Sequence, residues 1–442
     1  MFYLIETKNQ FQQLKEIVEN NSYCWLDYIQ GNDNTHPALA EIIAVYIKPK
    51  NDKGYIIPIN HPECINWDKN VVFNFLSGHN FYVKDKKAAL HINPMPLYTD
   101  IQHIHYLEKN ELFPDEFDTQ AHTHYYRKFP QIKVNKIIPI GKHLERCEQR
   151  QCALSHVFST NTLNVSGLYN AKILPNLYEI EKNGLKINDE FKNYFTTKNN
   201  KHSIKNNNIY GWYNPYTTTG RPVNNFNGIN FVGLKHDNGE RNCFEPINDF
   251  FVEMDYDGYH PRLIGDMVGY KFEDNVHNTL AKIYFKTDKI TPEEYKLSKE
   301  ITFKQIYGGI RKENLHHPFF YKTQKYIDKN WDKFEKEGFV ETPQGKKILK
   351  HNHKNITKQK LFNYLIQSLE TETNIEKIGI INKYLKNKKT KLVLYVYDAF
   401  IFDFSKKDGK STLVDLQEIL SNKFPTKIKI YIYNWKIPVF YE

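Results

Sequence analysis

The chain has 442 residues, 40% of them hydrophobic and 15% aromatic, which excludes a disordered protein and allows two or three domains with buried cores. No apolar run of about eighteen residues occurs, and the start MFYLIETKNQ lacks the basic-then-apolar pattern of a secretory signal, so the sequence predicts a cytoplasmic protein that spans no membrane. A formal charge of +10 points to a polyanionic partner or a Lys-rich solvated surface, and five scattered cysteines (Cys24, Cys64, Cys147, Cys152 and Cys243) exclude a disulfide framework.

In chain order, FYLIE reads as a strand. Asn9 to Glu19 reads as a helix with Phe11, Leu14, Ile17 and Val18 on one face. SYCWLDYI, AEIIAVYIKP and YIIPI read as further strands separated by turn residues. This β-α-β-β-β order predicts a mixed α/β domain with an antiparallel portion. Residues 60–160 read as mixed helices and loops. They include His143, Cys147, Cys152 and His156, residue types that suit zinc. At about 100° per residue the two His/Cys pairs of one unbroken helix face nearly opposite ways, so a zinc site there requires a break. Leu168 to Lys186 predicts a helix that stops at Asn183-Gly184, and TTKNNKHSIKNNN a loop. Strands are predicted near 249–256, 391–397 and 399–404, with a helix-rich stretch from about 260 to 387.

Three segments carry chemistry. FFVEMDYDGYHPRLIGD reads as a strand ending at Asp255, a turn, and a helix with Pro261 near its first turn. KLVLYVYDAFIFDF reads as a hairpin with Asp398 at its tip. Two such acids together can hold two divalent cations, which stabilise the attacking and leaving oxygens of an in-line displacement. Taken alone, either acid reads as a plain turn residue. In SKEITFKQIYGGI, Lys299, Phe303 and Tyr307 stand four apart and share one helix face. A cation followed by two aromatics suits the phosphates, base and sugar of a nucleotide. The alternative is an amphipathic helix with a snorkelling lysine.

In their order these segments resemble motifs A, B and C of family A DNA polymerases, the DNA polymerase I type: D-Y-S-x-x-E-x-R, K-x-x-x-F-x-x-x-Y-G and H-D-E. Asp255, Tyr256 and Arg262 match the first, Lys299, Phe303, Tyr307 and Gly308 the second, and Asp398 the third. Thr219-Gly220-Arg221 resembles the T-G-R element whose arginine contacts the primer side of the duplex, and NFNGI, Asn225 to Ile229, resembles N-L-Q-N-I. Gly338 to Thr342 with Gly345-Lys346 is similar to a stretch of the fingers. Asn363 and Gln367 resemble N-x-x-x-Q, whose side chains meet the minor groove and template. IEKNGLKI resembles the family's opening helix and IYIYNW its closing strand.

The resemblance implies an α+β or α/β right-hand fold over residues 166–442, with a palm at about 166–265 and 388–442 and fingers at about 266–387. An RNase H-like, exonuclease-type domain over 1–165 precedes it. The implied activity is template-directed addition of deoxynucleotides to a primer 3′ end with two Mg²⁺ ions, Mn²⁺ being a substitute. Asp255 and Asp398 would be catalytic, with Tyr256 joining them at the metals. Lys299, Phe303, Tyr307, His260, Arg262 and Lys296 would bind the deoxynucleoside triphosphate. Thr219, Arg221, Asn225, Asn363, Gln367 and Tyr397 would bind the primer-template DNA.

The chain also departs from the family. His260 stands where motif A carries a glutamate that packs against the sugar. Imidazole can block a 2′-hydroxyl but cannot reproduce a carboxylate's hydrogen bond, which keeps open a ribonucleotide-using primase-like enzyme or RNA polymerase. Tyr397 and Ala399 replace the histidine and glutamate of motif C, and Tyr295, beside Lys296, stands where an arginine is expected. Only about thirty residues separate Ile187 from Thr219. This implies a much reduced thumb and a protein partner that supplies the clamp, in a compact, phage-like form working in a host cytoplasm. In the first domain YIIPINH and GHNFYVKDKKAAL resemble exonuclease segments, yet the D-x-E pattern fails at Asp27-Tyr28-Ile29, Asp85 is displaced, Asp100 stands further on, and no Y-x-x-x-D occurs near Ser155. The expectation is a degenerate exonuclease-like domain without proofreading; the alternative is a rearranged site using Asp27, Asp85 and Asp100. A non-catalytic DNA-binding scaffold is the remaining reading.

Overall fold

The computed structural model describes residues 3–32, 35–50, 52–109, 138–160, 168–189, 203–226, 229–230 and 240–432. The chain splits into two compact units. One comprises residues 1–165, 196–206 and 226–228, the other 166–195, 207–225 and 229–442. No helix among the described residues is long and apolar enough to cross a membrane.

The first unit runs β1 (Tyr3–Leu4), α1 (Lys8–Glu19), β2 (Cys24–Gln30), β3 (Ile42–Pro49), β4 (Tyr55–Pro58), α2 (Lys69–Leu76), β5 (Asn80–Val83), α3 (Lys86–Ile92), β6 (Leu97–Asp100), α4 (Ile101–Lys109) and α5 (Ile140–Thr160). Its strands form one sheet in the order β1-β4-β3-β2-β5-β6. β2, β3 and β4 pair antiparallel, whereas β1–β4, β2–β5 and β5–β6 are parallel. The β-α-β-β-β reading matches β1 through β4, and the stretch read as helices and loops adds β5 and β6. Alternate residues of the central strands face opposite ways. Leu26, Val45, Ile47 and Ile57 pack with Leu14 and Val18 of α1, and Ile29, Ala44, Tyr46 and Ile56 pack with Leu144 and Cys147 of α5. Covered on both faces, these strands are apolar almost throughout. Thr7 and Gln10 close a capping box that starts α1.

The second unit opens with α6 (Leu168–Glu181), which stops before Gly184 at a φ of +63°. A Cβ there would lie 3.2 Å from the Ile209 carbonyl, so both φ and space require glycine. Next come β7 (Leu185–Ile187), β8 (Asn208–Ile209), β9 (Phe244–Glu245), β10 (Phe250–Tyr256), α7 (Tyr259–Val268), α8 (Val276–Phe285), α9 (Pro292–Gly308) and α10 (Pro318–Glu337). The hairpin β11 (Phe339–Glu341) and β12 (Lys347–Leu349), α11 (Lys358–Tyr384), β13 (Lys391–Val396), β14 (Ala399–Phe404), α12 (Lys410–Ser421) and β15 (Thr426–Tyr431) complete it. β7 pairs antiparallel with both β8 and β9. The central sheet is antiparallel in the order β13-β14-β10-β15. Helices α7 to α11 share a core that includes Ile264, Leu280, Ile306, Phe319, Phe320 and Ile366. Thr291 and Glu294 form the capping box of α9, with Pro292 in its first turn. The middle of α11 buries Glu370, Thr371, Glu372 and Asn374. Buried polar groups in such a run require partners, and their partners lead to the site.

Candidate active site

Antiparallel register between β10 and β14 sets Asp255 opposite Ala399, next to Asp398 in the chain. The Tyr256 N–H donates to the Asp398 carbonyl at 3.3 Å. Val396 pairs with Ala399, so Tyr397 and Asp398 form a two-residue hairpin turn. Tyr397 has a φ of +58°, a conformation that costs a side-chain-bearing residue about 1–2 kcal/mol and that such turns usually give to Gly, Asn or Asp. Neighbours hold it there. Asn374 Nδ2 donates to the Tyr397 carbonyl at 2.8 Å, and the Arg221 guanidinium lies 3.7 Å from the centre of the Tyr397 ring. Asn374, fully buried, also donates to the Tyr395 hydroxyl at 3.1 Å and accepts from the Tyr259 hydroxyl at 2.7 Å. Strain of this kind persists where packing over-determines it, and here it aims an acid.

Burial, and next to it the charge of Asp398, pushes the Asp255 carboxyl up to about 7. Burial and then Glu370 raise Asp398. The nearby ammonium groups offset little of this, because Lys429 Nζ binds Glu253 at 2.8 Å and Lys427 Nζ binds Asp257 at 2.5 Å. Two half-buried, mutually repelling carboxylates form a set of oxygens that divalent cations fit.

On α9, Phe303 and Tyr307 stack with ring centroids 5.9 Å apart, and Phe303 stays 39% exposed. Lys299 is half-buried with its Nζ 4.6 Å from the centre of the Tyr295 ring. Behind it, burial and then the Lys299 charge push His277 down to about 4, which keeps that imidazole neutral. Lys296 is exposed on the same helix. Arg262 is engaged elsewhere: Nε donates to the Asp257 carbonyl at 2.9 Å, Nη1 to Phe272 at 3.4 Å and Nη2 to Asp274 at 3.1 Å. It ties the turn before α7 to the loop after it.

A relay joins these parts. Nε2 of His260 hydrogen-bonds Glu370 at 2.8 Å, and Nδ1 hydrogen-bonds the Tyr307 hydroxyl. With the proton on Nε2, His260 donates to the carboxylate and accepts from Tyr307. Arg221 donates to the other Glu370 oxygen at 2.9 Å. Glu370 is completely buried. Burial would raise its pKa, but His260 and Arg221 hold it below the usual carboxylate range. The Thr219 hydroxyl accepts from the Arg221 N–H at 3.4 Å, and Gln367 donates to Asn363 at 2.9 Å. The side chain of Asn225 lies outside the described residues. Sequence reasoning missed Glu370 and Asn374. A signal existed, since Asn363, Gln367, Glu370 and Asn374 follow a spacing of four, three and four that places them on one face of α11.

In the first unit the three candidate acids are each engaged. Asp27 accepts from Arg150 Nη1 at 2.9 and 3.0 Å. Asp85 caps α3 by accepting from the Ala88 N–H at 3.0 Å. Asp100 accepts from the N–H groups of Lys86 and His103, both at 2.7 Å. Burial and then Asp85 push its carboxyl up to about 8. No group of three His, Cys, Asp or Glu that could hold a metal occurs among the described residues. α5 is unbroken, with His143 and Cys147 buried and Cys152 exposed. The side chain of His156 lies outside the described residues.

No protein-family model matches the sequence, and no curated protein matches it. Among solved structures the chain is similar to the POL domain of Pol1 from M. smegmatis in complex with DNA primer-template and dNTP. The TM-score is 0.72 at 13% sequence identity, over 98% of this chain and 99% of that chain. The fold is that of a polymerase domain. Within that polymerase-domain fold, the central sheet and its hairpin present the two acids, and α9 presents the Lys-Phe-Tyr face.

Proposed function

We propose that this chain is a template-directed DNA polymerase that adds deoxynucleotides to a primer 3′ end by a two-metal mechanism, without proofreading. The observation that carries this reading is the juxtaposition of Asp255 and Asp398; burial, and next to it the Asp398 charge, lifts Asp255 to about 7. The similarity in fold to a polymerase domain bound to primer-template and dNTP supports it. In this reading the central sheet is the palm, and α8 to α11 with their hairpin are the fingers.

Two Mg²⁺ ions held by Asp255 and Asp398, beside Tyr256, would supply Lewis-acid stabilisation of an attacking 3′ oxygen and a leaving pyrophosphate. The chain's own groups do the rest. Lys299 meets the phosphates of the incoming nucleotide as a point charge, and the stacked Phe303 and Tyr307 pack against its base and sugar. The Glu370 anion fixes the tautomer of His260, which in turn orients Tyr307. The same anion steadies Arg221 beneath the hairpin tip, on the primer side of Asp398. Asn363 and Gln367 line the helix face that would meet the template strand. Lys296 is free to approach the triphosphate from the exposed side of α9. Arg262 acts at one remove, by holding the loop next to Asp257. A protein partner that supplies a clamp remains part of this proposal, resting on the short span between Ile187 and Thr219.

His260 in place of a carboxylate motivates a second reading, a polymerase of ribonucleotides. Glu370 weighs against it, because it returns a carboxylate to the same cluster. Primer extension on a 5′-labelled primer-template with Mg²⁺, supplying deoxynucleotides or ribonucleotides separately, decides between them. Extension with deoxynucleotides alone is expected. Equal extension with ribonucleotides would favour the second reading, and none with either would oppose both.

A further inference from the structure

The second unit contains a cavity of about 320 Å³ at the C-terminal end of α7, bounded by the loop that follows α7 and by the chain after α12. Its lining combines three rings, Tyr270, Phe272 and Phe424, with three cations, Arg262, Lys271 and Lys423, and one acid, Asp266. Neither the acid pair nor the Lys-Phe-Tyr face of α9 contributes to this lining. We propose that the cavity is a binding site for a nucleoside phosphate, with Arg262 and Lys271 meeting the phosphate and Tyr270 the base. The site goes beyond the polymerase reading and does not rest on it.

Size, preformed walls and charge point to such a ligand. The volume falls in the range of about 300–1,000 Å³ usual for small-molecule sites. The Tyr270 N–H donates to the Gly265 carbonyl at 2.7 Å, and a Cβ on Gly265 would lie 2.5 Å from the Tyr270 carbonyl oxygen, so the loop sits directly on α7. The half-buried Tyr270 ring packs at centroid distances of 4.9 Å from Phe272 and 5.5 Å from Phe319, and Phe424 packs edge-on to Tyr259. These rings are held in place before anything binds. Arg262 uses three of its five N–H groups on the carbonyls of Asp257, Phe272 and Asp274, so none of those bonds goes to a carboxylate. The Asp257 carboxylate is held by Lys427 at 2.5 Å and by Asn275 at 3.2 Å. Burial lowers the Arg262 pKa and the Asp257 charge opposes it, so a further anion favours the charged guanidinium. Lys423 pairs with Asp266 at 2.6 Å, which leaves Arg262 and the exposed Lys271 as the surplus of three cations over one carboxylate. Glu273 and Asp274 follow in the same loop but do not line the cavity. Guanidinium and ammonium groups match phosphate oxygens, and a ring surface accepts any base through its π-face. An inorganic anion would leave the rings unused, and an apolar ligand the cations.

Calorimetric titration of the full chain in excess EDTA tests the proposal, with deoxyadenosine triphosphate, deoxyadenosine and inorganic pyrophosphate as separate probes. Each titration is run on the wild type and on Lys299→Ala, which removes the cation of α9. Saturable binding of the triphosphate is expected to persist in Lys299→Ala, at least about tenfold tighter than either fragment. Adding Lys271→Glu should weaken it at least about tenfold. Adding Tyr270→Leu instead should weaken the triphosphate and leave pyrophosphate unchanged. Thermal melting checks that each variant folds, and the exposed Lys271 keeps the test open if Tyr270→Leu does not. Triphosphate binding that Lys299→Ala leaves intact and Lys271→Glu removes supports the site even where the α9 face binds no nucleotide. Loss of all triphosphate binding in Lys299→Ala, or unchanged affinity on adding Lys271→Glu, overturns the proposal and leaves the polymerase reading standing. Pyrophosphate that binds as tightly as the triphosphate also overturns it, because the base then contributes nothing.

Discussion

At Asp255 the folded pKa stands near 7, while an aspartate in an unfolded chain titrates near ~3.9. Between these values the folded state binds the extra proton, so the stability of the metal-free protein falls as pH rises through that window. Below about pH 4 the term is fully present, and above about pH 7 it is lost. A divalent cation that binds the ionised pair reverses the trend. Urea midpoints should therefore diverge between metal-free and Mg²⁺-loaded protein as pH rises from about 4 to 7. Asp398→Asn should make the metal-free curve shallower, since it removes the neighbouring charge while burial, the larger cause, remains; parallel curves for the wild type would contradict the assignment. Glu370 supports a second prediction at this scale. Glu370→Gln loses the anion between His260 and Arg221, and denaturation should show a loss of about 1.5–3 kcal/mol. The places of the two aspartates, near a strand end and at a hairpin tip, were legible because both are local signals. For Glu370 the spacing on α11 was legible but its partners, 110 and 149 residues away, were not.

Elements position these residues through a few backbone constraints. Gly258 starts α7 with a φ of +64°, and a Cβ there would lie 3.1 Å from Val276. Gly258→Ala should cost about 1–2 kcal/mol for the left-handed conformation alone. Because α7 carries His260, a urea midpoint should fall together with nucleotide affinity. On α9, Lys299→Ala should raise KM for the triphosphate about tenfold, with a smaller effect on kcat, if the ammonium binds ground and transition states alike. The β-α-β-β-β start and the strands at Asp255 and Asp398 were legible because they are runs rich in β-branched and aromatic residues bounded by turn residues. β5, β6 and the hairpin β11–β12 were not. They are strands of three or four residues set close beside helices. β5 and β6 are also defined by parallel pairing with partners distant in sequence.

For the whole molecule, the charge of +10 predicts primer-template binding that weakens steeply with salt, linear in the logarithm of concentration. Asp27, Asp85 and Asp100 are each engaged by Arg150 or by backbone N–H groups, so an end-labelled single strand should not shorten in Mg²⁺. Net charge and the order of motifs were legible at this scale. How each unit closes around its site was not, since a sheet order such as β13-β14-β10-β15 is a property of non-local pairing. The most direct measurement is single-nucleotide incorporation opposite each of the four template bases, by the wild type and by Asp398→Asn, in Mg²⁺ and in EDTA. The predicted result is incorporation of the complementary deoxynucleotide only, dependent on Mg²⁺ and reduced on the order of a thousandfold or more in the variant. Incorporation that Asp398→Asn leaves intact, or none by the folded wild type on any template, would contradict the proposed active site.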